Sequence, residues 1–231
     1  RSADGRREQI IAANVDKLAA VFSVAEPEPD YELLDRFLLL AESNEIPVFL
    51  VVNKLDLSCL ESASEGFGIY EAAGYEVVYT SAVQGLGVDS LCERLADHIT
   101  LFVGPSGVGK SSLLNAAQPG LGIRVGEVSR ALQAGRHTTV AASLHPLDVG
   151  GYVVDTPGLR QLRFWEVEHR DLGWCFPEFR AHMGECRFPD CAHDKEPDCA
   201  IRQAVDAGSI APSRYKSYLT IRRESEAAQS Y

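Results

Sequence analysis

Residues Ile99-Thr-Leu-Phe-Val-Gly104-Pro105-Ser106-Gly107-Val108-Gly109-Lys110-Ser111-Ser112-Leu-Leu-Asn decide how the rest of this chain is read. An apolar run with strand character leads into a match to G-x-x-x-x-G-K-[ST], and a helix-forming stretch follows. In that order a glycine-rich turn delivers backbone N–H groups to the mouth of a helix, where phosphate oxygens are favoured. Lys110 is placed to reach the β- and γ-phosphates, and the Ser111 hydroxyl is placed to bind Mg2+. The plain alternative is an accidental glycine-rich turn. The strand before it and the helix after it argue against that.

Outward from this loop, the first two-thirds of the chain alternates short β-rich runs with longer helical patterns, as a mainly parallel α/β sheet requires. Strands are expected at Leu18–Val24, Val48–Val52, Glu76–Thr80, Thr100–Val103 and Tyr152–Val154. Helical spacing appears over Tyr31–Glu42, at Leu34, Phe37, Leu38 and Ala41, and again over Val88–Asp97 and Lys110–Ala117. Leu144–Tyr152 reads as a hairpin that turns near Asp148 and Gly150–Gly151. Glu26–Asp30, with two prolines and three acids, reads as an exposed loop. After about residue 168 the character changes to aromatics, cysteines and short helical pieces. The expected division is therefore 1–168 and 169–231.

Asn53-Lys54-Leu55-Asp56 directly follows the strand Pro47–Val52. An aspartate there can accept hydrogen bonds from guanine N1–H and the 2-amino group, a donor pair that adenine lacks. Asn53 would brace the loop, and the Lys54 stem would lie over the base. A second strand ends in Thr80-Ser81-Ala82, suited to placing a backbone N–H on guanine O6. Either fragment alone could be a polar turn; together they support each other. Downstream, Asp155-Thr-Pro-Gly158 ends the Tyr152–Val154 strand. Asp155 is expected to hold Mg2+ through water, and the Gly158 N–H to sense the γ-phosphate. Of Thr138 and Thr139, we assign Thr139 to the Mg2+ shell.

The base-reading motifs at 53–56 and 81–82 precede the phosphate loop at 104–111, whereas ordinary GTPases run in the opposite order. The order resembles that of circularly permuted GTPases. A sheet packs the same strands whichever loop is cut, so the order is physically tolerable. One consequence is that the segment after Asp155-Thr-Pro-Gly158 leads straight into the C-terminal region. The residue that usually orients the attacking water is a glutamine soon after this motif. Here Leu159 follows Gly158, so we look to His137 in Gly135-Arg-His-Thr-Thr139, whose neutral imidazole can orient water. Two other readings stand beside it: a solvated loop histidine, or Arg136 as the cation on the transferring phosphate.

Cys186-x4-Cys191-x-His193-x5-Cys199 places three thiols and an imidazole within fourteen residues. That soft set suits Zn2+ in a closed, structural, tetrahedral site. Binding would nucleate a small domain with a thin core of its own. The alternative is three buried cysteines and a surface histidine. Asp190 and Asp194 flank the ligands as possible acceptors behind them or as solvated acids. Cys59, Cys92 and Cys175 read as small core or helix residues. Phe176 and Phe179, with Trp165, read as core around the zinc region.

Hydrophobic residues make up 45% and charged residues 24% of the 231, which fits a globular protein and excludes low-complexity classes. Twenty-two basic against 33 acidic residues leave a net charge of −11, which argues against gripping nucleic acid with the whole surface. Six cysteines are too few for a disulfide scaffold, so a reducing compartment is expected. No apolar run approaches the roughly 18 residues of a bilayer span, and no secretory signal opens the sequence. The C-terminal helix, expected from about Ser213, carries Arg214, Lys216, Arg222 and Arg223. These read either as contacts for RNA phosphates or as a solvated face diluted by Glu224 and Glu226.

Permuted motifs followed by C-x4-C-x-H-x5-C resemble the small ribosomal subunit-dependent GTPase A family (RsgA/YjeQ-like) over essentially the whole chain. Ala13-Asn-Val-Asp16, Arg136-His-Thr-Thr139 and Gly208-Ser-Ile-Ala-Pro-Ser-Arg-Tyr215-Lys-Ser-Tyr218 all carry that resemblance. It implies a permuted P-loop GTPase domain followed by a small, mostly helical zinc-binding domain. It also implies GTP hydrolysis to GDP and phosphate with Mg2+, one structural Zn2+, and action late in small-subunit maturation. In the family that subunit stimulates turnover, and His137 lies where the proposed catalytic histidine sits. Family members carry an N-terminal OB-fold against ribosomal RNA, which this sequence is expected to lack. A monomer in the bacterial cytoplasm, or in an organellar stroma or matrix, without a membrane partner, completes the expectation. The competing classes are a GTP-regulated RNA-binding scaffold with incidental hydrolysis, and a permuted GTPase for the large subunit.

Overall fold

The computed structural model describes residues 14–123, 143–155 and 171–229. Its six strands are β1 (Lys17–Ser23), β2 (Val48–Asn53), β3 (Glu76–Tyr79), β4 (Ile99–Val103), β5 (Ser143–Pro146) and β6 (Tyr152–Asp155). They form one sheet in the order β3-β2-β1-β4-β6-β5. All pairings are parallel except β5 against β6, the expected hairpin. The central strands are buried on both faces, as parallel strands must be. Leu18, Ala20 and Phe22 of β1 point into one core while Ala19 and Val21 point into the other, following the two-residue period of a strand.

Helices α1 (Tyr31–Ser43) and α2 (Leu60–Ala72) cover the first face. Asp30 caps α1 by accepting the Leu33 N–H at 3.0 Å, and Leu34, Phe37, Leu38 and Ala41 form its buried stripe, as their spacing predicts. The sequence reading had no helix at α2. Helices α3 (Val88–Leu95) and α4 (Lys110–Ala117) cover the second face through Leu91, Leu95, Leu113 and Leu114. The expectation that α3 runs to Asp97 is corrected: Ala96 leaves helical geometry at ψ 130° and Asp97 is left-handed (φ 59°), which ends the helix at Leu95.

Residues 171–229 build a third core. Short 3-10 turns at Leu172–Cys175 and Pro177–His182 precede α5 (Ala200–Asp206) and α6 (Pro212–Gln229). Phe176, Phe179, Ile201, Ile210, Tyr218 and Ile221 pack together, with Leu39 of α1 reaching in from the sheet side. Phe176 and Phe179 are core, as expected. Cys175 is buried, whereas Cys59 is exposed just ahead of α2 and is not a core residue. Among the described residues no helix is long and apolar enough to cross a membrane.

Candidate functional site

In a parallel sheet every strand delivers its following loop to the same edge, so ligands collect there. β2 ends in Asn53, β3 leads to Ser81 and Ala82, β4 leads into Gly104–Lys110, and β6 ends at Asp155. The four candidate motifs therefore share one rim despite their permuted order. Asp155 is in register with Phe102 of β4, two residues before the phosphate loop begins. Thr139, Gly158, Arg136 and His137 lie outside the described residues.

The phosphate loop turns sharply at Gly104 (φ 144°) and Gly109 (φ 95°), backbone conformations that a side chain would strain. A Cβ at Gly104 would also strike the Val21 carbonyl, and one at Gly109 would strike the Asn53 amide. Val108 is buried beneath the loop and anchors it in the core. The Lys110 ammonium donates to the carbonyls of Gly104 and Pro105, both at 2.8 Å, and so lies folded along the loop. Ser111 and Ser112 occupy the first turn of α4, the part of a helix whose N–H groups have no acceptor within the helix itself.

Asn53 ties segments 53–56 and 80–82 to the glycine-rich loop. Its amide donates to Val108 O at 2.8 Å, while its side-chain oxygen accepts from the Thr80 hydroxyl and the Ala82 N–H, both at 3.2 Å. Of the strand end expected to place a backbone N–H on guanine O6, the Ala82 N–H is engaged by Asn53, and a base there would share that donor. Lys54 sits in the left-handed region (φ 64°) and donates to the Glu26 carbonyl, which stretches its stem along the rim. Asp56 accepts a 2.5 Å hydrogen bond from the Ser81 hydroxyl, which joins segments 53–56 and 81–82.

At the other end of the molecule, the ligand atoms of Cys186, Cys191, His193 and Cys199 all lie within 4.8 Å of one another. Sγ of Cys186 is 3.9 Å from Sγ of Cys199 and 3.5 Å from Nδ1 of His193, which is 3.4 Å from Sγ of Cys199. Tetrahedral Zn2+ with its usual bond lengths spaces such atoms by roughly 3.6–3.8 Å. The donor set and its spacing fit a closed zinc site. Burial pushes the Cys191 thiol up to about 12 and also raises Cys199. Burial likewise lowers the His193 imidazole, which leaves it neutral and ready to ligate.

Residues that sequence reasoning passed over hold this cluster. The Glu196 carboxylate accepts the N–H groups of Ala192, Asp194 and Lys195 at 2.9, 3.1 and 3.0 Å. Tyr215 and Tyr218, one helical turn apart on α6, donate to the carbonyls of His193 and Ala192 at 2.6 and 2.9 Å. Their i, i+3 spacing was the available signal. Asp194, expected as an acceptor behind a ligand or as a solvated acid, lies 3.5 Å from Arg223 at the surface. The reading of Arg214 as surface charge is overturned: it is 1% exposed and paired with Asp35 and Glu178. Arg222 pairs with Glu226.

Comparison with known proteins agrees with this geometry. The family model "RsgA GTPase" matches residues 1–165. The small ribosomal subunit biogenesis GTPase RsgA of Gemmatimonas aurantiaca is 48% identical over 94% of this chain and 71% of its own length. The protein of the same name from Caldanaerobacter subterraneus subsp. tengcongensis is 43% identical over 95% of this chain and 75% of its own. Among solved structures, YjeQ from Thermotoga maritima superposes with a TM-score of 0.78 at 41% identity, covering 92% of this chain and 72% of that one. YloQ, described as a circularly permuted GTPase, gives 0.72 at 34% identity over 93% and 69%.

Proposed function

The chain belongs to the RsgA GTPase family, and from that premise we propose that it hydrolyses GTP in maturation of the small ribosomal subunit, whose binding stimulates turnover. Asp56 reads guanine, Lys54 lies along the base, and Ser81 with Ala82 closes the base pocket. Gly104 to Ser112 receive the phosphates, with Lys110 leaving its two carbonyls for the β- and γ-phosphates. Mg2+ bound with GTP at Ser111, Thr139 and Asp155 supplies charge neutralisation on the phosphates. Gly158 senses the γ-phosphate, and His137 orients the attacking water.

The observation that carries this reading is the hydrogen bond from Asn53 to Val108. It holds a guanine-selecting segment against a phosphate loop that follows it in the chain. Cys186, Cys191, His193 and Cys199 would hold zinc with four protein ligands, and such a closed set would serve a structural role. We assign the chain to the bacterial cytoplasm as a monomer, with ribosomal RNA of the small subunit as the surface it meets.

Phosphate release from GTP, with and without purified small subunits and with ATP as control, tests this. GTP-restricted release that rises with the subunit is expected. Equal use of ATP would remove the role given to Asp56. A rate that stays unchanged on replacing His137 by alanine would move catalysis to Arg136 or to the partner.

A further inference from the structure

Arg214 is the bulkiest fully buried side chain among the described residues, 1% exposed on α6. Its Nη1 donates to Asp35 Oδ1 at 2.6 Å and its Nε to Glu178 Oε1 at 2.7 Å, and its guanidinium lies 4.7 Å over the Phe176 ring. The Tyr70 hydroxyl donates to the same Asp35 oxygen at 2.9 Å. A buried ionic group of this kind is weak evidence for stability, because apolar residues of equal volume often serve as well. What a planar, bidentate guanidinium adds is fixed direction.

The element it fixes is α1. One turn before Asp35, that helix emerges from the loop 24–30, which touches both halves of the nucleotide site. The Glu26 carbonyl holds Lys54. The Ser23 hydroxyl donates to the Pro27 carbonyl at 2.8 Å. Cδ of Pro27 lies 3.6 Å from where a side chain on Gly107 would begin. A second tie, Arg36 to Glu224 at 2.6 Å, joins the same two helices at the surface.

We propose that Arg214 is a positioning residue for guanine-nucleotide binding: by fixing α1 against the zinc-bearing region, it sets the loop 24–30 and with it Lys54 and the phosphate loop. The nucleotide site is then coupled to the C-terminal region by α1 as well as by the chain that follows Asp155. The proposal deepens the reading above and rests on it.

The test compares dissociation of a fluorescent GDP analogue from the zinc-loaded parent and from two variants. Arg214→Lys keeps the charge and loses the fork. The combined replacement Arg214→Met, Asp35→Leu, Glu178→Leu and Tyr70→Phe removes the three charges and the Tyr70 hydroxyl together, so none of these charges is left buried without its partner, and Ser217, which also bonds Asp35, loses only that one partner. With zinc content and melting temperature matched to the parent, either variant is expected to release GDP about 3- to 30-fold faster. An unchanged release rate in a folded, zinc-loaded variant overturns the positioning role and leaves the GTPase reading standing. A parent that binds no guanine nucleotide overturns both.

Discussion

The side-chain amide of Asn53 donates a 2.8 Å hydrogen bond to the carbonyl of Val108, 55 residues further along the chain. Through it the end of β2 and the phosphate loop behave as one surface. Asn53→Ala would leave the Val108 carbonyl and the Ala82 N–H without this partner, at about 1–3 kcal/mol for each group left buried and unpaired. Affinity for GDP is expected to fall about 10- to 100-fold. Gly109→Ala should reproduce the loss, since its methyl would enter the space of the Asn53 amide at a positive φ. Titration with a fluorescent GDP analogue decides this, and parental affinity in both variants would remove the brace from the argument.

In the proposed site Asp56 would present acceptors to a base, and the Ser81 hydroxyl donates to one of its oxygens. Asp56→Asn replaces one acceptor by a donor and would face the guanine 2-amino group with an N–H. GTP binding should drop by at least about 100-fold, because a buried polar pair is left unmatched. Xanthine nucleotides, which carry an acceptor at that position, should gain over GTP. Competition between the two nucleotides measures the switch, and continued preference for GTP would place guanine recognition elsewhere.

That the candidate motifs meet at one rim was legible because their pattern is local: loop, strand end and helix start are contiguous in Ile99–Asn115, and each strand supplies one loop to the rim. Helix α4 spans Lys110–Ala117, the range its sequence predicts. Helix α2 was illegible because Ser62, Ser64, Gly66 and Gly68 dilute its apolar pattern. Gly66 has a tertiary reason to be small, since a side chain there would strike the Tyr31 hydroxyl. Arg214 was misread for a related reason. Its partners are 179 and 36 residues away, and nothing local distinguishes it from Arg222 or Arg223. Glu196 was overlooked because its partners are backbone N–H groups, which no residue pattern displays.

Zinc affinity should depend steeply on pH. Burial raises both Cys191, to about 12, and Cys199. Both therefore carry protons at neutral pH that zinc must displace. His193 is lowered by burial and is already neutral there, so it adds no slope near pH 7. The apparent log affinity should rise by at least about two per pH unit around neutrality. Competition with a chelating indicator at several pH values measures this, and a slope near zero would mean the thiols are not the ligands. Cys199→Ser should lose the metal and, with it, the cooperative melting of the 171–229 core.

Glu196 supports the same site through the backbone. Its carboxylate takes three N–H groups from the loop around His193, which itself sits at φ 58°, a left-handed conformation uncommon outside glycine. Burial alone would raise this carboxyl, but those N–H donors outweigh it and hold the group below its usual 4.5. An acid depressed in the folded state stabilises above its unfolded value and loses that contribution only as pH falls through the folded one. Glu196→Gln keeps an acceptor and loses the charge, at about 1 kcal/mol once solvent screening is allowed for. The melting temperature should drop by about 2–4 °C with zinc retained. Because the carboxylate stays ionised throughout, that drop should be the same at pH 8 as at pH 5.5. A difference fading between those values would show that Glu196 titrates there, and that its three N–H donors do not hold it charged.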